Sequence, residues 1–265
     1  MLFRSNFNGT YAGTGVFSVN TNNGVANVNT AMSPSAIVLT AGTTNFNAAG
    51  ANTNALTISS ATLGGTGTLT LNAGGSGTWA SSTLTGSGTL AIGAGASLDT
   101  VDSNLQILSG GRGIANAGRM TLGVAGTVRI DTGGATINNA GTFTFADDAT
   151  FTNSSGAILF VNDGLARKTA GTGASGFGQF QNNATGTVQA QSGVLSLFSP
   201  SGTTSTYAAG GTLNVSAGAT LMLTGNGGTH IVNGLIAGAG AVGFFTSGGA
   251  SGTANVNGAY TASGG

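Results

Sequence analysis

The chain has 265 residues, 50 of them Gly, with 2 Pro, no Cys and a formal net charge of zero. Charged residues make up 5%, against about 25% in an ordinary soluble domain, so there is neither a basic nucleic-acid footprint nor a polybasic membrane patch. The lack of Cys excludes a disulfide framework, and with 40% apolar residues and no net charge the chain does not have the composition of a disordered one.

Collagen is excluded as well, because Gly64-Gly65, Gly74-Gly75 and Gly133-Gly134 break a strict three-residue period. No run reaches the roughly 18 apolar residues of a membrane helix; the nearest, Leu235 to Phe245, is short and interrupted by Gly. A transmembrane barrel would need longer strands and aromatic girdles, so direct membrane insertion by this segment is not expected.

In chain order, Met1-Leu2-Phe3-Arg4-Ser5 lacks the apolar core of a secretory signal. Leu-Phe-Arg-Ser resembles a sequencing adapter read in frame, so residues 1–5 are expected to be a non-native leader. Residues 6–265 are expected to be one continuous segment, truncated at both ends.

From there a short unit recurs: Gly or Ala, Thr or a substitute, apolar, any residue, apolar. It reads Gly67-Thr68-Leu69-Thr70-Leu71, Gly88-Thr89-Leu90-Ala91-Ile92, Gly126-Thr127-Val128-Arg129-Ile130 and Gly141-Thr142-Phe143-Thr144-Phe145, then Gly211-Thr212-Leu213-Asn214-Val215 and Ala219-Thr220-Leu221-Met222-Leu223. Diverged copies begin at Gly118, Gly186 and Gly193. Apolar residues two apart share one face of a strand, and the residue between them faces the other way. Each unit is therefore a short half-buried strand, with Phe143 and Phe145 expected inside and Thr142 and Thr144 outside. Asn138-Asn139-Ala140-Gly141 and Asn182-Asn183-Ala184-Thr185-Gly186 are expected to supply corner positions with positive φ.

Spacing decides the architecture. Gly67 and Gly88 are 21 apart, Gly118 and Gly141 are 23 apart, Gly126 and Ala149 are 23 apart, and Gly186 and Gly211 are 25 apart. A sustained period of this length marks a solenoid, here an all-β, right-handed, single-stranded parallel β-helix of roughly 20–25 residues per coil. At about 4.8 Å per coil, the chain gives on the order of 12 coils and a rod near 55 Å long. A sandwich needs no such period, and a propeller wants blades of about 40 residues with aromatic signatures. No helical apolar stripe persists.

One block carries a family likeness: Phe151-Thr152-Asn153-Ser154-Ser155-Gly156, then Leu165-Ala166-Arg167-Lys168-Thr169-Ala170-Gly171-Thr172-Gly173, then the run from Phe180-Gln181-Asn182-Asn183 to Leu197. This block resembles a repeat in the β-helical passenger regions of autotransporter and haemagglutinin-like surface proteins of Gram-negative bacteria. Outside it the likeness is one of style. The resemblance implies export across the outer membrane and display at the cell surface. A C-terminal translocator barrel or anchor would lie outside this sequence.

The chemistry-bearing residues are few. His230 is the only His and is expected at a surface or corner, not in a Ser-His-Asp site. Asp147-Asp148 is the one adjacent carboxylate pair; β-helical polysaccharide lyases and hydrolases do use carboxylates on a coil face, but a solvated turn is the expectation here. Arg167-Lys168, with Arg112, Arg119 and Arg129, could bind an acidic sugar, though a solubility role is favoured. Gly171 to Gly176 matches a dinucleotide Gly fingerprint without the strand, helix and acid that would support it. The Gly-rich Asp nonapeptide that binds Ca²⁺ in β-rolls is not present. The pairs Thr68/Thr70, Thr83/Thr85, Thr142/Thr144 and Thr150/Thr152 raise an ice-binding face, yet they do not recur in every coil.

The functional expectation is a non-enzymatic, secreted or surface-displayed scaffold or adhesin meeting a glycan, a host surface or a neighbouring cell. No catalytic, cofactor-binding or metal-binding residue and no cofactor is assigned. The competing class is a polysaccharide lyase or hydrolase on the same fold, and an ice-binding face is a minor alternative.

Overall fold

The computed structural model describes residues 4–11, 13–123, 127–130, 134–153, 158–246 and 251–264. Every element is a β-strand, and every strand pairing is parallel, between segments one coil apart. The result is a β-solenoid of about 11 turns, a rod of roughly 53 Å at about 4.8 Å per turn.

Each coil carries three faces. A first sheet stacks segments such as Ser97–Thr100, Arg119–Leu122, Thr142–Phe145, Leu165–Lys168, Thr187–Ala190 and Thr212–Val215. A second stacks Leu105–Leu108, Thr127–Ile130 and Thr150–Asn153, then Ala174–Phe177, Val194–Ser199 and Thr220–Gly225. A third stacks Thr89–Ile92, Gly113–Asn116, Ala135–Asn139, Ile158–Asn162, Gln179–Asn182 and Thr204–Tyr207. The first strand, Arg4–Phe7, already pairs with Val25–Val28.

The spacings read from the repeats are the coil registers themselves. Thr68 pairs with Thr89, Arg119 with Thr142, Thr127 with Thr150, and Thr187 with Thr212. The period still varies, from 18 residues between Val25 and Thr43 to 26 between Val194 and Thr220. Strand positions stay fixed while corners absorb the difference, because alternating burial pins the register wherever one face is buried.

Inside, like positions stack along the axis. In the first sheet Met120 lies on Phe143, Phe143 on Ala166 and Ala166 on Val188, so a large ring is followed by a small side chain and the layer stays filled. Phe143, Phe145, Phe160 and Phe180 are fully buried, each worth about 1.5–3 kcal/mol of transfer free energy. Their rings meet edge-on or stacked, with Phe143 and Phe160 5.1 Å apart at 81° and Phe160 and Phe180 5.3 Å apart at 6°, arrangements that add to area burial.

Two expectations about residue roles are corrected. Asn139 and Asn182 are strand residues whose amides point inward; the only non-Gly residues with positive φ are Asn22, Ser60 and Ser81 among the described residues. Gly141 and Gly164 also lack positive φ. They are Gly because a Cβ at Gly141 would meet the Gly118 carbonyl oxygen at 2.1 Å, and one at Gly164 would meet that of Gly141 at 2.1 Å. Gly at these two positions is thus set by the close approach of successive coils, which forbids a side chain there.

Candidate functional site

Three of the ionisable candidates, Lys168, His230 and Arg112, are drawn into the rod. Leu165–Lys168 belongs to the first sheet with Ala166 and Lys168 on the inner face, so Arg167 faces outward and its neighbour is buried, with no exposed surface. The Lys168 ammonium donates to Asp148 Oδ1 at 2.6 Å, to the Asp147 carbonyl at 3.2 Å and to Ser175 Oγ at 3.1 Å. Ser175 in turn donates to the same Asp147 carbonyl at 3.1 Å. The Gly173 amide donates to Asp148 Oδ2 at 3.0 Å. Lys168 and this amide hold the Asp148 carboxyl below the usual carboxylate range, as donors to a charged form do.

This knot explains the Lys and the Gly-Thr-Gly turn of the block. Gly171 has φ +77°, and a Cβ there would strike Asp148 Oδ1 at 2.1 Å; the turn closes over the carboxylate because it has no side chains in the way. Asp147 and Asp148 lie half-buried in the turn between two strands, as expected, but the Asp148 carboxylate also neutralises Lys168, whose solubility role is corrected, since burial would otherwise penalise the lysine heavily. Residues 171–176 form this turn and enter a strand, with no helix to make a dinucleotide fingerprint.

His230 is likewise not at a surface or corner. It lies on the inner face of Thr229–Val232, 3% exposed, and its ring lies 5.9 Å from that of Tyr207 at 22°. Nε2 donates to the Thr224 carbonyl at 2.8 Å, which leaves Nδ1 to accept from the Tyr207 hydroxyl at 3.0 Å. This arrangement is that of the neutral imidazole. Burial pushes the His230 pKa down, the Thr224 carbonyl opposing, and burial pushes the Tyr207 hydroxyl up. Neither ring nitrogen is available to a substrate.

Arg112 is fully buried. Its guanidinium donates to the carbonyls of Gly65 at 3.3 Å, Thr85 at 3.4 Å and Thr89 at 3.4 Å, and desolvation lowers its pKa to about 10, still charged at neutral pH. It braces a corner. Arg119 pairs with Asp99 at 3.1 Å across one coil, half exposed, a surface pair of small energetic weight. Arg167 Nε donates to Thr144 Oγ1 at 3.2 Å; Thr144 faces outward as expected but is only 5% exposed beneath that side chain. The side chain of Arg129 lies outside the described residues, as do Asp131, Gly126 and Ser154 to Gly156.

The remaining described acids are also engaged. Asp102 accepts from Ser81 at 2.5 Å and Gln106 at 2.5 Å, and Asp163 accepts from Asn183 at 2.8 Å. Among the described residues no group of three or more His, Cys, Asp or Glu could hold a metal ion. The Thr pairs do not line up: in register, Thr70 adjoins Ala91, Thr142 adjoins Leu165 and Thr144 adjoins Arg167.

A feature the sequence reading missed is a buried amide ladder. Asn116, Asn139, Asn162 and Asn182 occupy one inward position of the third sheet in four successive coils, the first three each donating from Nδ2 to the next Oδ1 at 2.7, 2.7 and 2.8 Å. The same Nδ2 atoms reach the carbonyls of Thr142, Leu165 and Thr187. The recurrent Asn before a corner was the available signal.

A cavity of about 340 Å³ opens on the second sheet among Thr150, Ser175, Gly176, Ser196, Phe198 and Thr224. Comparison with known proteins finds no matching family model, no matching curated protein and no matching solved structure.

Proposed function

We propose that the chain is a non-enzymatic β-helical scaffold, secreted by or displayed on a Gram-negative bacterium, with the role of an adhesin stalk. The observation that carries this reading is the placement of the ionisable groups. His230, Lys168 and Arg112 are buried and hydrogen-bonded, and Asp99, Asp102, Asp148 and Asp163 each hold a neighbouring coil or corner. General acid–base chemistry needs such groups free to meet a substrate. Instead these charges serve the rod. The likeness of residues 151–197 to passenger repeats adds display at the cell surface to this reading. The partner is a glycan, a host surface or a neighbouring cell.

The test is protease access. With the protein expressed from its own gene in a Gram-negative host, an epitope is inserted at the exposed Gly202 corner, where an added side chain would meet no other atom. External protease should remove the epitope from intact cells. An epitope that survives until the envelope is broken open overturns the display reading, and polysaccharide turnover by the purified chain overturns the non-enzymatic one.

A further inference from the structure

The second sheet has one break in its interior. From Arg4–Phe7 onward, each of its segments pairs in register with the next, and pairing resumes from Ala174–Phe177 to the last coil. Among the described residues, only Thr150–Asn153 and Ala174–Phe177, successive rungs of this sheet, share no ladder. The cavity of about 340 Å³ lies at this seam.

The cause is the buried knot next to it. Asp147 and Lys168 sit just before the two rungs, and Ser175 occupies an inward position where neighbouring coils place Leu195 and Leu221. Its hydroxyl and Lys168 both bond to the Asp147 carbonyl. The coils meet here through these polar side chains and through the rings of Phe151 and Phe177, with no main-chain ladder between the two rungs. Gly176 opposes Ser196 in register and leaves the notch unfilled.

We infer that this seam is a binding site for a neutral saccharide unit. The floor holds Phe151 and Phe177, their rings stacked 6.1 Å apart. The rim offers the half-buried ring of Phe198 and the hydroxyls of Thr150, Ser196 and Thr224. Ser196 and Thr224 bond each other at 2.9 Å, which fixes their oxygens while each keeps acceptor capacity. Among the described residues no ionised group lines the cavity; Lys168 and Asp148 are paired with each other. An aromatic face beside fixed hydroxyls matches a sugar ring with one C–H face and an edge of hydroxyls.

The test uses the full chain, labelled with ¹⁵N, and three neutral disaccharides as probes, maltose, cellobiose and lactose, with digalacturonic acid as the charged comparison. At least one neutral probe at concentrations on the order of 10 mM, the range of a shallow site, should shift the amides of Gly176, Ser196, Phe198 and Thr224. Phe198→Ala removes the platform and Gly176→Val fills the notch, the added Cβ meeting Ser196 only at ordinary contact distance. Each should weaken binding at least about tenfold with an unchanged circular dichroism spectrum. The inference is overturned if no neutral probe shifts these amides, if digalacturonic acid alone does, or if the shifts survive both substitutions. Protease access to the displayed epitope reads surface display independently of this result.

Discussion

The amino group of Lys168, wholly buried, lies 2.6 Å from Oδ1 of Asp148 in the preceding coil. The acid is a third exposed and the base not at all, so the carboxylate is the only route by which the buried charge is neutralised. Asp148→Asn should therefore lower the urea midpoint clearly, by leaving a lysine without its counter-ion. Adding Lys168→Met should recover most of the loss, since a well-packed apolar side chain can replace a buried pair. Asp148→Asn as stable as the parent would refute the assignment.

The same pair sets an acid limit. A carboxyl whose pKa is depressed in the folded state contributes stability that is present above its unfolded pKa, and that stability is lost as pH falls through the folded value. With Asp148 held below the ordinary range, its share should persist at pH 5 and disappear only in more acidic solution. Denaturant midpoints for the parent and Asp148→Asn should converge there.

His230 titrates in the other direction of consequence. Its pKa is lowered by burial, so between the ordinary value of 6.5 and the folded value the unfolded chain takes up a proton that the native chain does not. Stability should fall as pH drops below 6.5, by up to about 1.4 kcal/mol per pH unit. In His230→Phe this dependence should vanish, at a fixed cost of about 1–3 kcal/mol for the unpaired Thr224 carbonyl. Urea unfolding at several pH values distinguishes the slope from the offset.

Phe143 and Thr144 test the strand alternation directly. Phe143→Asp buries an unpartnered carboxylate where a ring packed, costing on the order of 3–5 kcal/mol or more. Thr144→Asp places a carboxylate beside the Arg167 guanidinium, already bonded to Thr144 at 3.2 Å, and should cost under about 1 kcal/mol. Hydrogen exchange should show deprotection of the adjoining coils in the first variant alone, because a coil contacts mainly its neighbours.

Asn139 sits mid-ladder, donating to Asn162 and accepting from Asn116. Asn139→Leu should cost at least about 2–3 kcal/mol, since it strands polar atoms on both adjoining coils. A loss no larger than that of the exposed Asn47→Leu, whose amide bonds Asn29, would show the ladder to be energetically idle.

The fold was legible because its determinants are local and periodic. Thr68, Arg119, Thr127 and Thr187 all pair with the partners that the repeat spacing designates. The roles of polar residues were legible only in part, because an alternating pattern does not say which polar residues sit inside. Lys168 reads as half of a basic pair until the parity of Leu165–Lys168 is fixed, and His230 reads as a corner residue until Thr229–Val232 is a strand. The seam could not be read at all, since it depends on how Asp147, Lys168 and Ser175 converge from two coils.

The amide ladder has a consequence for folding fidelity. Coils built from near-identical Gly-Thr-apolar units can mispair by one whole turn and still bury apolar side chains, the register slip to which repetitive strands are prone. The run of four Asn is bounded by Ile92 at one end and Tyr207 at the other. A slip of one turn would set an amide against an aliphatic side chain and leave its hydrogen bonds unmade, a penalty of about 1–3 kcal/mol for each stranded group. The ladder thus works as an indexing pin: it singles out one stacking of otherwise interchangeable turns, as a lone buried Asn fixes the register of a coiled coil.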